Sequence, residues 1–176
     1  MILGLSTSTF TLLHVALSLV GILSGLFVLV GMLGAQRRAT WTALFLATTI
    51  ATSASGFFLP ATSFGPSHIV GVLSLIALAV ALLARYANHL AGASRWIYVM
   101  AAVLALYLNV FVGIVQAFQK LAFLQALAPT QSEPPLLYTQ LAVLAIFVVL
   151  AIVALIRFRP APPRAPSAMD IRRAGS

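Results

Sequence analysis

The chain has 176 residues, of which 62% are hydrophobic and only 7% carry a formal charge, and its mean hydropathy is +1.10. About a quarter of the residues in a soluble domain are charged. This composition therefore excludes an ordinary soluble domain and indicates an integral membrane protein. The absence of cysteine excludes disulfides, thiol redox chemistry, thiolate metal sites and c-type haem attachment.

Five apolar segments predict five membrane spans. They lie at about 9–34, 41–59, 68–85, 96–119 and 136–156. A bilayer core of ~30 Å needs roughly 20 helical residues, and backbone in lipid must satisfy its own hydrogen bonds. The sequence therefore predicts an all-α bundle of five transmembrane helices over residues 1–159. The first segment has no basic start, so we expect a retained span rather than a cleaved signal peptide.

The basic residues predict the orientation of these spans. With five spans, all nine arginines fall on one side: Arg37, Arg38, Arg85, Arg95, Arg157, Arg159, Arg164, Arg172 and Arg173. The positive-inside rule makes that side cytoplasmic. We therefore expect a multi-pass protein of the cell inner (plasma) membrane, with its N-terminus outside and its C-terminus in the cytoplasm.

The net charge of +8 is explained by the same topology, because the charges stand at segment ends and in the tail. This placement indicates a lipid bilayer as the partner and argues against nucleic acid. Residues 160–176 are rich in proline and arginine, and lack the apolar side chains needed to build a core. We predict that they form a disordered, basic cytoplasmic tail.

Polar and small residues recur at helical spacing on the first four segments and lie near the outer end of the fifth, which predicts stripes that face the bundle interior. The stripes comprise His14, Ser18, Gly21 and Gly25; Thr48, Thr52 and Ser55; His68, Gly71 and Ser74; Asn109, Gly113, Gln116 and Lys120; and Tyr138 and Gln140. The Gly21–Gly25 pair is a GxxxG pattern, which permits close helix approach. An interfacial aromatic belt is predicted from Trp41, Tyr86, Trp96 and Tyr98. Lys120 and Glu133 are expected to form a surface ion pair.

The deepest polar groups are predicted to converge near the outer surface. His14 lies roughly 8 Å inside the first span by helix rise, and His68 opens the third. Because the fourth span runs in the opposite direction, Gln116 reaches the same level and Asn109 lies deeper. An ionisable group at membrane depth is costly unless it has a partner or a function. We therefore expect a pocket formed by His14, His68, Asn109 and Gln116.

Two histidines on different helices are candidate ligands for a metal centre. His14 and His68 could bind haem b from opposite faces, or a single copper or zinc ion with further ligands. Asn109 and Gln116 would then orient the imidazoles, or hydrogen-bond to a quinone carbonyl. The alternative is that these side chains make only interhelical hydrogen bonds and that no cofactor is bound. No span contains Asp or Glu, and no familiar catalytic motif is present, so we assign no catalytic residue and leave enzymatic activity open.

Three short motifs carry a resemblance to a known group of proteins. These are His14 early in the first span, Phe64-Gly65-Pro66-Ser67-His68 opening the third, and Arg95-Trp96 opening the fourth. Over roughly residues 10–118 the chain resembles a family of small bacterial multi-span membrane proteins of unknown function, similar in layout to dihaem cytochrome b-type electron carriers. The resemblance implies that His14 and His68 form the outer histidine pair. Where that family has inner histidines, this chain has Arg37-Arg38 and Ser94, which leaves His89 as the inner candidate.

These observations lead to two functional expectations. The first is a membrane-embedded b-type haem or metal-binding protein that acts in electron transfer or sensing at the outer leaflet, with a quinone or a redox protein as partner. The second is a non-enzymatic membrane subunit, scaffold or small-molecule carrier whose histidines are structural. Formation of a homo-oligomer is compatible with both.

Overall fold

The computed structural model describes residues 2, 4–59 and 66–159. Four helices in this part are long and apolar enough to cross a membrane: Thr7–Leu33, Ser67–Ala87, Ser94–Lys120 and Pro134–Arg157. The described chain contains helices and no β-strand. The prediction of an all-α fold is confirmed for the described residues, and the four apolar helices are compatible with a membrane protein. The predicted tail at 160–176 and the Phe64-Gly65 part of the third-span motif lie outside the described residues.

The helices follow the predicted segments closely. They are α1 (Thr7–Leu33), α2 (Ala39–Gly56), α3 (Pro66–Leu82), α4 (Ser94–Lys120), α5 (Ala122–Gln125) and α6 (Pro134–Arg157). The five long helices agree with the predicted segments to within about three residues at each end, the usual uncertainty of helix boundaries. Helix α5 is a single turn that hydropathy did not indicate.

Helix α2 differs from the other long helices in composition. It has 18 residues, and five threonines and two serines reduce its apolar character, so it is not among the four helices of spanning length and hydropathy. Its hydroxyls are partly satisfied within the helix: Thr42 Oγ1 donates to Arg38 O at 2.9 Å and Thr48 Oγ1 to Leu44 O at 2.7 Å. It packs between α1 and α3.

Helix α4 is the centre of the bundle and contacts each of the other four long helices. Its buried face includes Ala101, Ala102 and Ala105, whose small side chains allow neighbouring helices to approach. Helix α6 is peripheral and buries only Leu136, Phe147 and Ala154.

The predicted close approach at the GxxxG pattern is present. A Cβ on Gly25 would lie 2.6 Å from Leu106 Cδ1 and 2.9 Å from Phe45 Cδ2, so α1 packs tightly against both α2 and α4 there. A Cβ on Gly21 would lie 3.0 Å from both Asn109 Nδ2 and Thr49 Oγ1. Both glycines are therefore packing residues on the His14 side of α1.

The described arginines collect at one end of the bundle, which we call the arginine end. Arg38 precedes α2, Arg85 lies in a π-helical turn (Leu83–Ala87) that continues α3, Arg95 lies at the start of α4, and Arg157 ends α6. Arg95 Nη1 donates to the carbonyl oxygens of Phe158 and Leu155, which ties the start of α4 to the end of α6. We call the opposite end, where α1 begins and α2 ends, the cavity end.

Several predictions about individual side chains are wrong. Tyr98 is only 1% exposed and packs in the core, so it does not belong to the aromatic belt, whereas Trp41, Tyr86 and Trp96 are exposed. Tyr138 is 68% exposed and does not face the bundle interior.

The predicted Lys120–Glu133 ion pair is also wrong. The Glu133 carboxylate instead accepts hydrogen bonds from Thr130 N and Thr130 Oγ1, at 3.0 and 2.8 Å, and from Ser132 N at 3.1 Å. Desolvation alone would raise the pKa of Glu133, but these hydrogen bonds outweigh it and hold the pKa below its ordinary value. Glu133 thus organises the loop that starts α6.

Candidate functional site

A cavity of about 270 Å³ lies at the cavity end, between α1, α2, α3 and α4. Its wall combines hydroxyl, amide and imidazole groups with apolar side chains. It is lined by His14, Ser18, Thr52, Ser53, Gly56, Phe57, Leu59, Ser67, His68, Val70, Gly71, Ser74, Leu108, Asn109, Val112 and Gln116. All four residues predicted for the site, on α1, α3 and α4, therefore line one cavity.

His14 is held by a defined hydrogen-bond chain. Its Nδ1 lies 2.8 Å from Ser55 Oγ, and Ser55 Oγ donates to Thr52 O at 3.1 Å. If the Ser55 hydroxyl proton points to the Thr52 carbonyl, Ser55 accepts from His14 Nδ1–H. The neutral imidazole then carries its lone pair on Nε2. This is the arrangement of metal-binding histidines, in which a partner of one ring nitrogen orients the other.

The His14 ring lies against Gly56 at the end of α2. A Cβ at Gly56 would lie 3.6 Å from His14 Cε1, which is an ordinary van der Waals contact distance. The imidazole therefore lies beside the α2 backbone. Helix α2 therefore supplies both the hydrogen-bond acceptor and the surface against which the ring packs.

Asn109 connects α4 to α1 deeper in the cavity. Ser18 Oγ donates to Asn109 Oδ1 at 2.8 Å. Asn109 Nδ2 and Thr52 Oγ1 are buried and have no hydrogen-bond partner within the described residues. Both residues line the cavity, but Thr49 Oγ1, which lies near Gly21 in the helix packing and not in the cavity wall, is unpaired as well, so these atoms do not by themselves mark a binding site.

His68 lies at the start of α3 and is half-buried. Its ring centroid is 5.6 Å from that of Phe57, with the two planes inclined at 56°. Phe57 in turn packs over Gly71, where a Cβ would lie 3.2 Å from the ring. The absence of a side chain at Gly71 thus allows Phe57 to reach His68. Behind them, Ser53 Oγ donates to Ser74 Oγ at 3.1 Å and joins α2 to α3.

Gln116 and Lys120 complete the α4 stripe toward its C-terminal end, and both are exposed. Gln116 lines the cavity, whereas Lys120 does not. Gln140 of α6, the other amide in the predicted stripes, donates instead to Phe111 O at 3.1 Å and joins α6 to α4.

His89 does not contribute to this site. It is exposed in the loop after the π-helical turn, at the arginine end, with a positive φ of 49°. Within the described residues, no group of three or more His, Cys, Asp or Glu side chains could hold a metal ion. A metal bound at the cavity would therefore have at most two histidine ligands, His14 and His68, with amide, hydroxyl or solvent oxygens completing its coordination.

Three contributors were not predicted from the sequence. Ser55 and Thr52 were predicted as part of a polar stripe on α2, but the contact of Ser55 with His14 was not. The position of Phe57 beside His68 was not predicted either. The i, i+3 spacing of Thr52 and Ser55 is the signal that connects them, since it brings the Ser55 hydroxyl to the Thr52 carbonyl.

Comparison of the chain with protein-family models, with curated proteins and with solved structures found no match.

The size of the cavity limits what it can hold. Ligand pockets usually measure roughly 300–1,000 Å³, and this cavity of about 270 Å³ lies just below that range. It suits a metal ion with its solvent ligands or a small polar molecule. A b-type haem is larger, so its binding would require the helices around the cavity to separate.

Proposed function

We propose that this chain is a multi-span membrane protein that binds a metal centre between His14 and His68, for electron transfer or sensing at the membrane surface. The observation that carries the proposal is that His14 and His68 line one cavity, with the Ser55 hydroxyl 2.8 Å from His14 Nδ1, where it can orient the imidazole so that Nε2 keeps its lone pair. Imidazole suits copper, zinc and iron alike. Asn109 and Gln116 would orient the bound group through their amides.

The topology that goes with this function is five spans with the N-terminus outside. The collection of described arginines at one end of the bundle supports it, because the positive-inside rule would make that end cytoplasmic. Helix α2, at ~27 Å, is long enough to cross most of a bilayer core when its polar face packs on α1 and α3. The cavity would then open toward the outer leaflet of the cell inner membrane. Reporter fusions after Arg38, after Arg95 and after Arg159 should report cytoplasm.

A second candidate is a carrier or receptor for a small polar molecule. It is favoured by the hydroxyl, amide and imidazole side chains of the cavity wall, which can hydrogen-bond to a small polar ligand. A quinone head group belongs to this class, because its carbonyl oxygens accept hydrogen bonds from amides. In this case His14 Nε2 would accept a hydrogen bond from a ligand hydroxyl, such as that of a reduced quinol, rather than coordinate a metal.

The absorption spectrum and elemental composition of the purified protein distinguish these candidates. A metal centre predicts stoichiometric metal, or a Soret band if the metal is carried by haem. His14→Ala and His68→Ala should each reduce the metal content, whereas His89→Ala, which removes an exposed imidazole at the other end, should not. Protein that is colourless and metal-free, and that binds no added copper, zinc or haem, would refute the metal centre and leave the small-molecule candidate.

A further inference from the structure

A second concave surface runs along the outside of α3 and α4 and has no polar lining residue. It encloses about 580 Å³ and extends from Trp96, near the start of α4, to Leu108, near its middle. Twelve residues of helix correspond to ~18 Å, which is comparable to the length of an extended acyl chain within one leaflet. We call this surface the α3–α4 groove.

The groove is formed by residue size. Its floor contains Ala77 and Ala101, which are 5% and 7% exposed, and its sides are large side chains that project outward, including Ile76, Met100 and Leu104. Two alanines facing each other on neighbouring helices leave a channel that larger residues would fill. A channel of this shape on the lipid-facing side of a membrane protein is complementary to a hydrocarbon chain.

The end of the groove at Trp96 is positively charged. Trp96 lines the groove, and the guanidinium carbon of Arg95 lies 5.1 Å from the centroid of its ring. Arg95 Nη1 contacts the last carbonyl groups of α6, which carry only partial negative charge and leave the guanidinium charge uncompensated. No described carboxylate supplies the counter-charge here, because Glu133 begins α6 at the opposite end and Asp170 lies outside the described residues.

We propose that the α3–α4 groove binds an anionic phospholipid, with its phosphate near Arg95 and one acyl chain along the groove. Charge complementarity selects the head group, and the apolar channel selects a lipid over a free phosphate. One basic residue at a membrane surface gives about a fivefold preference for an anionic lipid over a zwitterionic one. This inference does not depend on what the polar cavity binds or on the orientation of the chain.

The two tryptophans of the chain provide a matched test. Trp96 lines the groove and is 49% exposed, while Trp41 is 40% exposed, stacks on Phe27 with ring centroids 4.7 Å apart, and lies at the same end of the bundle outside the groove. Trp41→Phe leaves Trp96 as the reporter, and Trp96→Phe leaves Trp41. Each variant is reconstituted in phosphatidylcholine vesicles that contain a small fraction of brominated phosphatidylglycerol or brominated phosphatidylcholine, whose bromines quench nearby indoles.

We expect brominated phosphatidylglycerol to quench Trp96 at about one fifth of the mole fraction needed for brominated phosphatidylcholine. In the Trp41→Phe background, Arg95→Gln should abolish this preference, and Arg95→Lys and Arg37→Gln should retain it. In the Trp96→Phe background, Arg95→Gln should leave the quenching of Trp41 unchanged. Inorganic phosphate should not displace the lipid. Equal quenching of Trp96 by both lipids would overturn the proposal, as would shielding of Trp96 from both by a second copy, or an equal effect of Arg95→Gln at both tryptophans.

Discussion

Replacing Gly25 by alanine adds one methyl group where α1 packs against α2 and α4. That methyl would lie 2.6 Å from Leu106 Cδ1 and 2.9 Å from two ring carbons of Phe45. Both neighbours are 1% exposed, so neither can turn away into lipid. Overpacking a core in this way costs ~1–3 kcal/mol.

Gly113→Ala is the matched control for this substitution. It adds the same methyl to a helix interior, but at an ordinary contact distance of 3.5 Å from Ile22 Cδ1. The gain in helix propensity, ~1 kcal/mol, is the same for both glycines and cancels in the comparison. We therefore expect Gly25→Ala to be less stable than Gly113→Ala by ~1–3 kcal/mol.

Reversible unfolding in mixed micelles of a mild detergent and dodecyl sulfate, followed by far-ultraviolet circular dichroism, measures this difference. The control also reports whether α1 and α4 tolerate an added methyl in general. Equal unfolding free energies for the two variants would show that the tight contact at Gly25 does not exist in the membrane protein.

Three further predictions concern the cavity, the α6 loop and the tail. Ser55→Ala removes the hydroxyl that orients His14 and should weaken metal binding in a titration 10–100-fold. Ser67→Ala, which alters another hydroxyl of the cavity wall, should have a smaller effect. Equal metal affinity of Ser55→Ala and the native chain would contradict the role of Ser55. The depressed pKa of Glu133 means that its carboxylate stabilises the fold above the ordinary pKa of 4.5, and that this contribution disappears as pH falls through the lower pKa of the folded state. The thermal transition temperature of the native protein should therefore fall more steeply on acidification than that of Glu133→Gln. Parallel curves of transition temperature against pH would refute this role of Glu133. Truncation after Arg159 should leave the helical circular dichroism and the thermal transition unchanged, since residues 160–176 have few apolar side chains to pack, and a large loss of stability would show that the tail docks on the bundle.

The positions of the helices were predictable because the bilayer restricts the chain so strongly. A segment in lipid must be helical and about as long as the bilayer is thick, so hydropathy alone located all five long helices. Helix α5 was not predicted because one turn leaves no periodic signal in the sequence. The π-helical turn at Arg85 was not predicted because it arises from how α3 ends against the loop before α4.

The composition of the cavity was predictable from spacing, but its internal geometry was not. Helix rise and span direction placed His14, His68 and Gln116 at one level with Asn109 deeper, and all four line the cavity. The hydrogen bond between His14 and Ser55 joins residues 41 positions apart and depends on the rotation of α2 against α1. Tyr98 was misassigned for the same reason, since a tyrosine near a helix end can face either lipid or the core.

The most direct test of the proposed metal centre is the electron paramagnetic resonance spectrum of the purified protein loaded with one equivalent of Cu²⁺. Nitrogen couplings count the imidazoles bound to the ion. We predict two in the native chain and in His89→Ala, and one in each of His14→Ala and His68→Ala. A spectrum without nitrogen coupling, or one that is unchanged when both His14 and His68 are replaced by alanine, would contradict binding of a metal at this cavity.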